Sequence, residues 1–194
     1  MTARTRQAGP KRRARILEAT ATLMAGSDYG RVSMADIGAA VGMGASTIYW
    51  HFSGKQEILV ALFDECLDRL LAGQATAIAD TDDDRAALQA VISRHVDFVL
   101  YERMTAQTYY RQAGHISEPD AGRLRRKQRR YIDEWARLLR QVRHDLATDV
   151  AEEFVRATIG ALQSDLYHHS PRDVRDRHAE LTAIALRIQG LAEG

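Results

Sequence analysis

Apolar residues recur every three to four positions along almost the whole chain, and no stretch alternates with period two for long enough to form a strand. The pattern therefore predicts an all-α protein. Ile16, Leu17, Thr20, Leu23 and Met24 mark a first helix after a flexible arm over 1–10 that ends at Gly9-Pro10, with Gly26 as its stop. Ser33 followed by Asp36 reads as an N-cap with a near capping box, opening a two-turn helix whose apolar face is Met34, Ile37 and Val41. A break at Gly42-Met43-Gly44 precedes a second two-turn helix over 45–52. Longer helices are predicted from Lys55 onward, over about 84–103, 120–143, 148–167 and 172–191, with a short aromatic segment over 105–115.

Two short helices joined by a glycine-rich turn are the layout of a helix-turn-helix, whose second helix enters the major groove of DNA. Ile37, Val41, Ile48 and Phe52 have the spacing of a small shared core. That leaves Ala45, Ser46, Tyr49 and Trp50 facing outward, small side chains for close approach to base edges and aromatic ones for contact. Hydroxyls on Ser46, Thr47 and Tyr49 are candidates for phosphate or base contacts, and Lys55 for a phosphate contact at the start of the next helix.

Charge sharpens this reading. The net charge is only +1, but residues 1–60 hold 8 basic and 4 acidic side chains. Six of the bases, Arg4, Arg6, Lys11, Arg12, Arg13 and Arg15, fall in the first 15 residues, which suits an anionic partner. Arg4 and Arg6 are expected to reach phosphate or an adjacent groove. The 22 acids beyond residue 60 outweigh the bases there, giving a basic head on a mildly acidic body.

The string Val32-Ser33-Met34-Ala35-Asp36-Ile37-Gly38-Ala39-Ala40-Val41-Gly42-Met43, continued by Thr47-Ile48-Tyr49-Trp50-His51-Phe52-Ser53-Gly54-Lys55-Gln56-Glu57-Ile58-Leu59, closely resembles the DNA-binding signature of the tetracycline-repressor (TetR) family. The resemblance is strong over about 12–60 and rests elsewhere on the number, length and order of helices. It implies about nine helices. Three would form a DNA-binding domain over 1–54, and the rest a ligand-binding and dimerisation domain over 55–194. It also adds Ser33 and His51 to the candidate DNA contacts. Gly44 stands where many relatives carry a capping serine, Ser46 where glycine or alanine is common, and Gly38 where alanine is usual. Glycine at 38 should cost roughly 1 kcal/mol of helix propensity unless close packing compensates.

The implied function is that of a ligand-responsive transcriptional regulator, in this reading a repressor that binds a palindromic operator as a homodimer and is released by a small molecule. The basic helix over 120–143 and the turn over 167–173 resemble regulators of fatty-acid or sterol breakdown, whose ligands are acyl-CoA thioesters. The alternatives are a drug-efflux regulator sensing an apolar or aromatic compound, and a helical ligand-binding protein without DNA activity. Candidate ligand residues are His95 and Gln128, which interrupt apolar stripes, with Val99, Tyr109, Trp135 and Leu138 around them. Lys127, Arg129 and Arg130 are candidate partners for the phosphates of an acyl-CoA. Phe154, Thr158, Ile159, Leu162, Leu166, Ile184 and Ile188 carry more apolar surface than one layer of helices buries, which points to a two-fold four-helix interface.

Other chemistry is not expected. There is no nucleophile motif, no phosphate-binding glycine loop and no helical histidine pair at metal spacing, so neither an enzyme, a cofactor nor a bound metal is anticipated. His168, His169 and His178 read as solvated or capping, and the single Cys66 as a core residue. The longest apolar run covers only 58–63, far short of the roughly 18 residues of a membrane span, and no secretory signal is evident, which places the chain in the cytoplasm.

Overall fold

The computed structural model describes residues 3–168 and 173–191, with side chains from residue 9 onward. The described residues include nine α-helices and two short 3-10 turns, with no strand among them. The helices are α1 (Ala3–Ala25), α2 (Met34–Ala40), α3 (Ala45–His51), α4 (Lys55–Ala79), α5 (Asp84–Tyr101), α6 (Arg103–Gln112), α7 (Asp120–Val142), α8 (Thr148–Ser164) and α9 (Val174–Ile188). The chain divides into two compact units, Met1–Cys66 with Met104–Leu124, and Leu67–Arg103 with Arg125–Gly194.

The first unit has its own apolar core. Ile16, Met24, Ile37, Ile48, Phe52, Ile58, Leu59 and Phe63 are all essentially inaccessible. The last carbonyls of α1 have no partner within the helix, and α6 supplies them. Thr108 Oγ1 donates to the Ala21 carbonyl at 2.8 Å, and the Gln112 amide donates to Met24 at 3.0 Å and Ser27 at 2.8 Å. These bonds explain why Thr108 and Gln112 are fully buried without leaving polar groups unsatisfied.

One expectation is corrected here. Gly9-Pro10 does not separate an arm from α1, because the helix runs through both from Ala3. Proline at 10 removes its own N–H bond and disfavours a helix interior, but good helix formers lie on both sides of Gly9-Pro10, among them Ala3, Arg4, Arg6, Gln7 and Ala8 before and Lys11 to Arg15 after.

The second unit is held by Leu88, Val91, Ile92, Val96 and Val99 of α5, Trp135, Leu138 and Leu139 of α7, Val155 and Leu162 of α8 and Ala185 of α9, all buried. On α5, Leu88, Val91, Ile92, His95, Val96 and Val99 all face inward. Asp83 caps α5 by accepting from the Arg85 and Ala86 amides, and Asp173 caps α9 by accepting from Arg175. A buried polar chain crosses this core. Trp135 Nε1 donates to Gln189 Oε1 at 3.4 Å, and Gln189 Nε2 donates to Thr158 Oγ1 at 3.2 Å.

Candidate nucleic-acid interface and effector site

The α2–turn–α3 segment is built by short-range rules. Ser33 Oγ accepts from the Asp36 amide at 3.1 Å, and Asp36 Oδ2 accepts from the Ser33 amide at 2.8 Å, completing the capping box. The Ser33 hydroxyl also donates to Asp36 at 2.6 Å, and together these bonds hold the Asp36 carboxyl below its ordinary range. Ser33 is thus committed to its own helix. After α2, Gly42 adopts φ +69°, a left-handed turn that glycine accepts without strain, and the Met43 amide folds back onto the Gly38 carbonyl at 2.8 Å.

Gly38 is where the two helices meet. A Cβ there would lie 2.6 Å from the Met43 carbonyl oxygen and 3.4 Å from Ile48 Cγ1. Close packing therefore offsets the helix-propensity cost of glycine. Gly38→Ala is expected to force the turn apart and destabilise this unit by about 1–3 kcal/mol. Thermal melting of the variant checks this, and an unchanged melting temperature would contradict it.

Gly44 caps α3 in an extended conformation with no side-chain bond. Ile48 on α3 and Phe52 at its C-cap turn into the core while Ser46 is exposed. Tyr49 is 56% and Trp50 90% exposed, an unusual display of aromatic surface on one short helix. Ala45, Thr47 and His51 are half-buried at the margins of that face. The arrangement offers hydroxyl, indole and phenol groups on a helix of groove-fitting size.

The basic residues around it differ in availability. Arg13 stacks over the Phe52 ring at 4.9 Å and pairs with Glu65 at 2.7 Å. Arg15 donates to the Val41 carbonyl at 3.1 Å, at the C-terminal end of α2. Lys55 Nζ donates to the Tyr29 carbonyl at 2.7 Å and lies 4.3 Å from the centre of that ring. The side chains of Arg4 and Arg6 lie outside the described residues, as does His169.

The second unit brings together some of the expected ligand residues. His95 is 2% exposed. Its Nδ1 is 3.1 Å from the Tyr131 hydroxyl, and its ring packs on Tyr131, Trp135 and Phe98 with centroids 5.8, 5.6 and 6.0 Å away. Among the described residues, His95 Nε2 has no hydrogen-bond partner. Burial pushes its pKa down from 6.5 to about 4, so the ring is neutral at pH 7. Tyr131, missed from the sequence, is the residue that orients it. Val99, Trp135 and Leu138 are fully buried, and Gln128 is half-buried.

Tyr109 does not join this group. It belongs to the first unit, edge-on to Phe63 at 5.0 Å, and burial together with Cys66 raises its pKa. Nor do the cavities coincide with the expected walls. One of about 380 Å³ lies between α4 and α5, with Leu70, Arg94, Phe98 and Tyr101 among its lining. Another of about 270 Å³ lies between α4 and α7, lined by Leu71, Gln74, Ala75, Ile78, Ala79, Arg130 and Glu134. The stripes that suggested a pocket pack on each other instead. Lys127 is paired with Asp68 at 2.6 Å, whereas Arg129 and Arg130 are exposed.

The neutral His95 has a consequence for acid stability. Between pH 6.5 and about 4 the unfolded chain binds a proton that the folded chain refuses. Stability from this group is complete above pH 6.5 and is lost as pH falls through that window, by an amount on the order of 3 kcal/mol. His95→Phe is expected to flatten the melting temperature between pH 6.5 and 4. Equal acid sensitivity in both proteins would contradict this.

The residues expected at a dimer interface divide into two groups. Thr158, Leu162 and Leu166 are buried within the single chain, so they are core residues and not surface ones. Phe154, Ile159 and Ile188 are half-buried, and Ile184 is exposed. Val150, Val174 and Tyr167 add to the exposed apolar surface of α8, α9 and the turn after α8. Among the described residues no cluster of three metal-ligating side chains exists, Cys66 is buried, and no helix is long and apolar enough to cross a membrane.

Comparison with known proteins agrees with this geometry. Residues 16–62 match the family of bacterial regulatory proteins described as the tetR family. The HTH-type transcriptional activator FasR of Mycolicibacterium smegmatis is 26% identical over 109 residues, which are 56% of this chain and 49% of that protein. The chain thus aligns with about half the length of that curated relative. Across nearly full length, the fold is that of the ketosteroid transcriptional regulator KstR2 of Mycobacterium tuberculosis, with TM-score 0.80 and 20% identity over 94% of this chain and 96% of that one. AibR, solved with isovaleryl coenzyme A and operator DNA, superposes with TM-score 0.77 and 16% identity over 89% of this chain and 97% of its own.

Proposed function

We propose that this chain, a member of the tetR family of bacterial regulatory proteins through residues 16–62, is a repressor that binds a palindromic operator as a dimer and leaves it when a small molecule binds. The observation that carries this reading is the α2–turn–α3 unit, locked by its capping box and Gly42 turn, with Ser46, Tyr49 and Trp50 displayed outward. Ala45, Thr47, His51 and Lys55 border the same surface, with Arg4 and Arg6 upstream as backbone contacts. On the division by function, residues 1–54 bind DNA and 55–194 bind effector and partner. The second copy packs through the exposed and half-buried apolar residues Phe154, Ile159, Ile184 and Ile188.

The effector site is the His95 cluster, with Gln128 as a second polar group and Val99, Trp135 and Leu138 as apolar surroundings. Gln74, in the α4–α7 cavity, donates to the Tyr131 carbonyl at 3.0 Å, and the Tyr131 hydroxyl bonds His95. A ligand entering by that cavity must part packed side chains to reach the cluster. α4 is the lever, since it starts at Lys55 and continues into the second unit. The ligand acts only through tighter binding to the DNA-incompetent state, and the coupling is reciprocal.

The effector is a lipid-derived molecule, in the first instance an acyl-CoA, a reading supported by the isovaleryl coenzyme A in AibR and the ketosteroid regulator KstR2 among the structural relatives. Exposed Arg129 and Arg130 would take its phosphates. A neutral His95 with an unpaired Nε2, and Lys127 already held by Asp68, favour a second reading in which the effector is an uncharged apolar or aromatic compound. Titrating acyl-CoAs, free fatty acids and uncharged aromatics against the protein–DNA complex separates them. Release by a thioester supports the first reading. Release by uncharged compounds and by no thioester rejects it in favour of the second.

A further inference from the structure

Lys55 is the first residue of α4, yet what fixes its ammonium lies far away in sequence. One of its three protons goes to the Tyr29 carbonyl, and the ammonium rests 4.3 Å from the Tyr29 ring centre. Two protons remain for a phosphate oxygen. Tyr29 itself sits in the 3-10 turn Tyr29–Arg31 between α1 and α2, a short segment with no buried residue of its own. A turn of that kind does not hold an aromatic ring in place unaided.

The support comes from the 3-10 turn Ala113–His115 that follows α6. His115 stacks on the Tyr29 ring with centroids 4.7 Å apart and planes within 13° of parallel. Three neighbouring bonds bind the same segments together. The Gln112 amide donates to the carbonyls of Met24 and Ser27, just before the turn, and the Gln56 amide, next to Lys55, donates to Ser117. All these residues belong to the first compact unit. His115 is exposed apart from this stack, so its ring adds little to the core.

We propose that His115 is a positioning residue for DNA binding: it holds the Tyr29 ring that aims the Lys55 ammonium at the DNA backbone. This rests on the reading of the α2–α3 unit as a DNA interface. Unlike Ser46, Tyr49 or Trp50, His115 reads no base, and its effect is independent of sequence. Movement of the turn after α6 would withdraw one phosphate contact without touching the recognition helix.

The test uses the full chain and a random-sequence duplex, with affinity measured by fluorescence anisotropy over a range of salt. His115→Ala is expected to weaken binding about 3–10-fold and to shallow the slope of log K against log salt by roughly one, the signature of one lost phosphate contact. His115→Phe keeps a flat ring on Tyr29 and is expected to restore both values. In a Lys55→Ala background, His115→Ala is expected to cost nothing more, because its effect passes through the missing ammonium. Unchanged affinity in His115→Ala, or an equal loss with and without Lys55, overturns the proposal while leaving the DNA-binding reading intact. Failure of the unmodified chain to bind duplex at any salt overturns both.

Discussion

Phe52→Ala is expected to unfold the first compact unit, at a cost of about 3–5 kcal/mol. Phe52 is 2% exposed and closes the core of the α2–α3 unit, with the Arg13 guanidinium covering its ring at 4.9 Å. Truncation leaves a cavity that short helices tied by a fixed turn cannot collapse to fill. Tyr49→Ala, three residues away on the outer face, removes a ring that is 56% exposed and is expected to leave the melting temperature within about 0.5 kcal/mol of stability. Its DNA affinity should instead fall by roughly 1–3 kcal/mol. Melting curves and duplex titrations on both variants check the pair. If Tyr49→Ala unfolds the unit while Phe52→Ala affects only DNA binding, the two faces of α3 are reversed.

The second large effect separates core from interface on α8 and α9. Leu162→Asp places an unpaired carboxylate at a fully buried position and is expected to cost at least about 4 kcal/mol, giving unfolded or insoluble protein. Ile184→Asp, at a position 42% exposed, is expected to leave the chain folded and shift it from dimer to monomer. Circular dichroism reports the first outcome and analytical ultracentrifugation the second. A folded monomer from Leu162→Asp, or a dimer of unchanged affinity from Ile184→Asp, would contradict this division.

These two cases also show what is legible in the residues alone. The α2–α3 unit is written in short-range terms: a serine with an aspartate three positions on, a glycine where the chain must turn left-handed, and apolar residues one helical turn apart. Such signals need no knowledge of the rest of the chain. On α8 the same logic is ambiguous, because Val155, Thr158 and Leu162 make one stripe and Val150, Phe154 and Ala157 another. Periodicity does not tell which stripe the chain's own helices cover. The burial of Leu162 and the exposure of Val150 resolve that.

The candidate effector site is harder to read for a related reason. Apolar stripes with a polar interruption at His95 describe a pocket and a packed core equally well. The His95–Tyr131 bond, the Lys127–Asp68 pair and the separation of Tyr109 into the other unit depend on which helices come together. The stack of His115 on Tyr29 is illegible for the same reason, joining segments far apart in the chain. Pro10 is equally ambiguous in the sequence, since a proline disfavours a helix interior locally yet here lies within α1.

The surface of Ser46, Tyr49 and Trp50 is proposed to bind duplex DNA in a sequence-selective way. The most direct measurement is fluorescence anisotropy of a labelled duplex from the region upstream of the protein's own coding sequence, competed with random-sequence duplex. Binding that survives a large excess of random competitor, weakens with salt and is lost in Tyr49→Ala is the expected result. Competition equal to the specific duplex, or affinity unaffected by Tyr49→Ala, would contradict it.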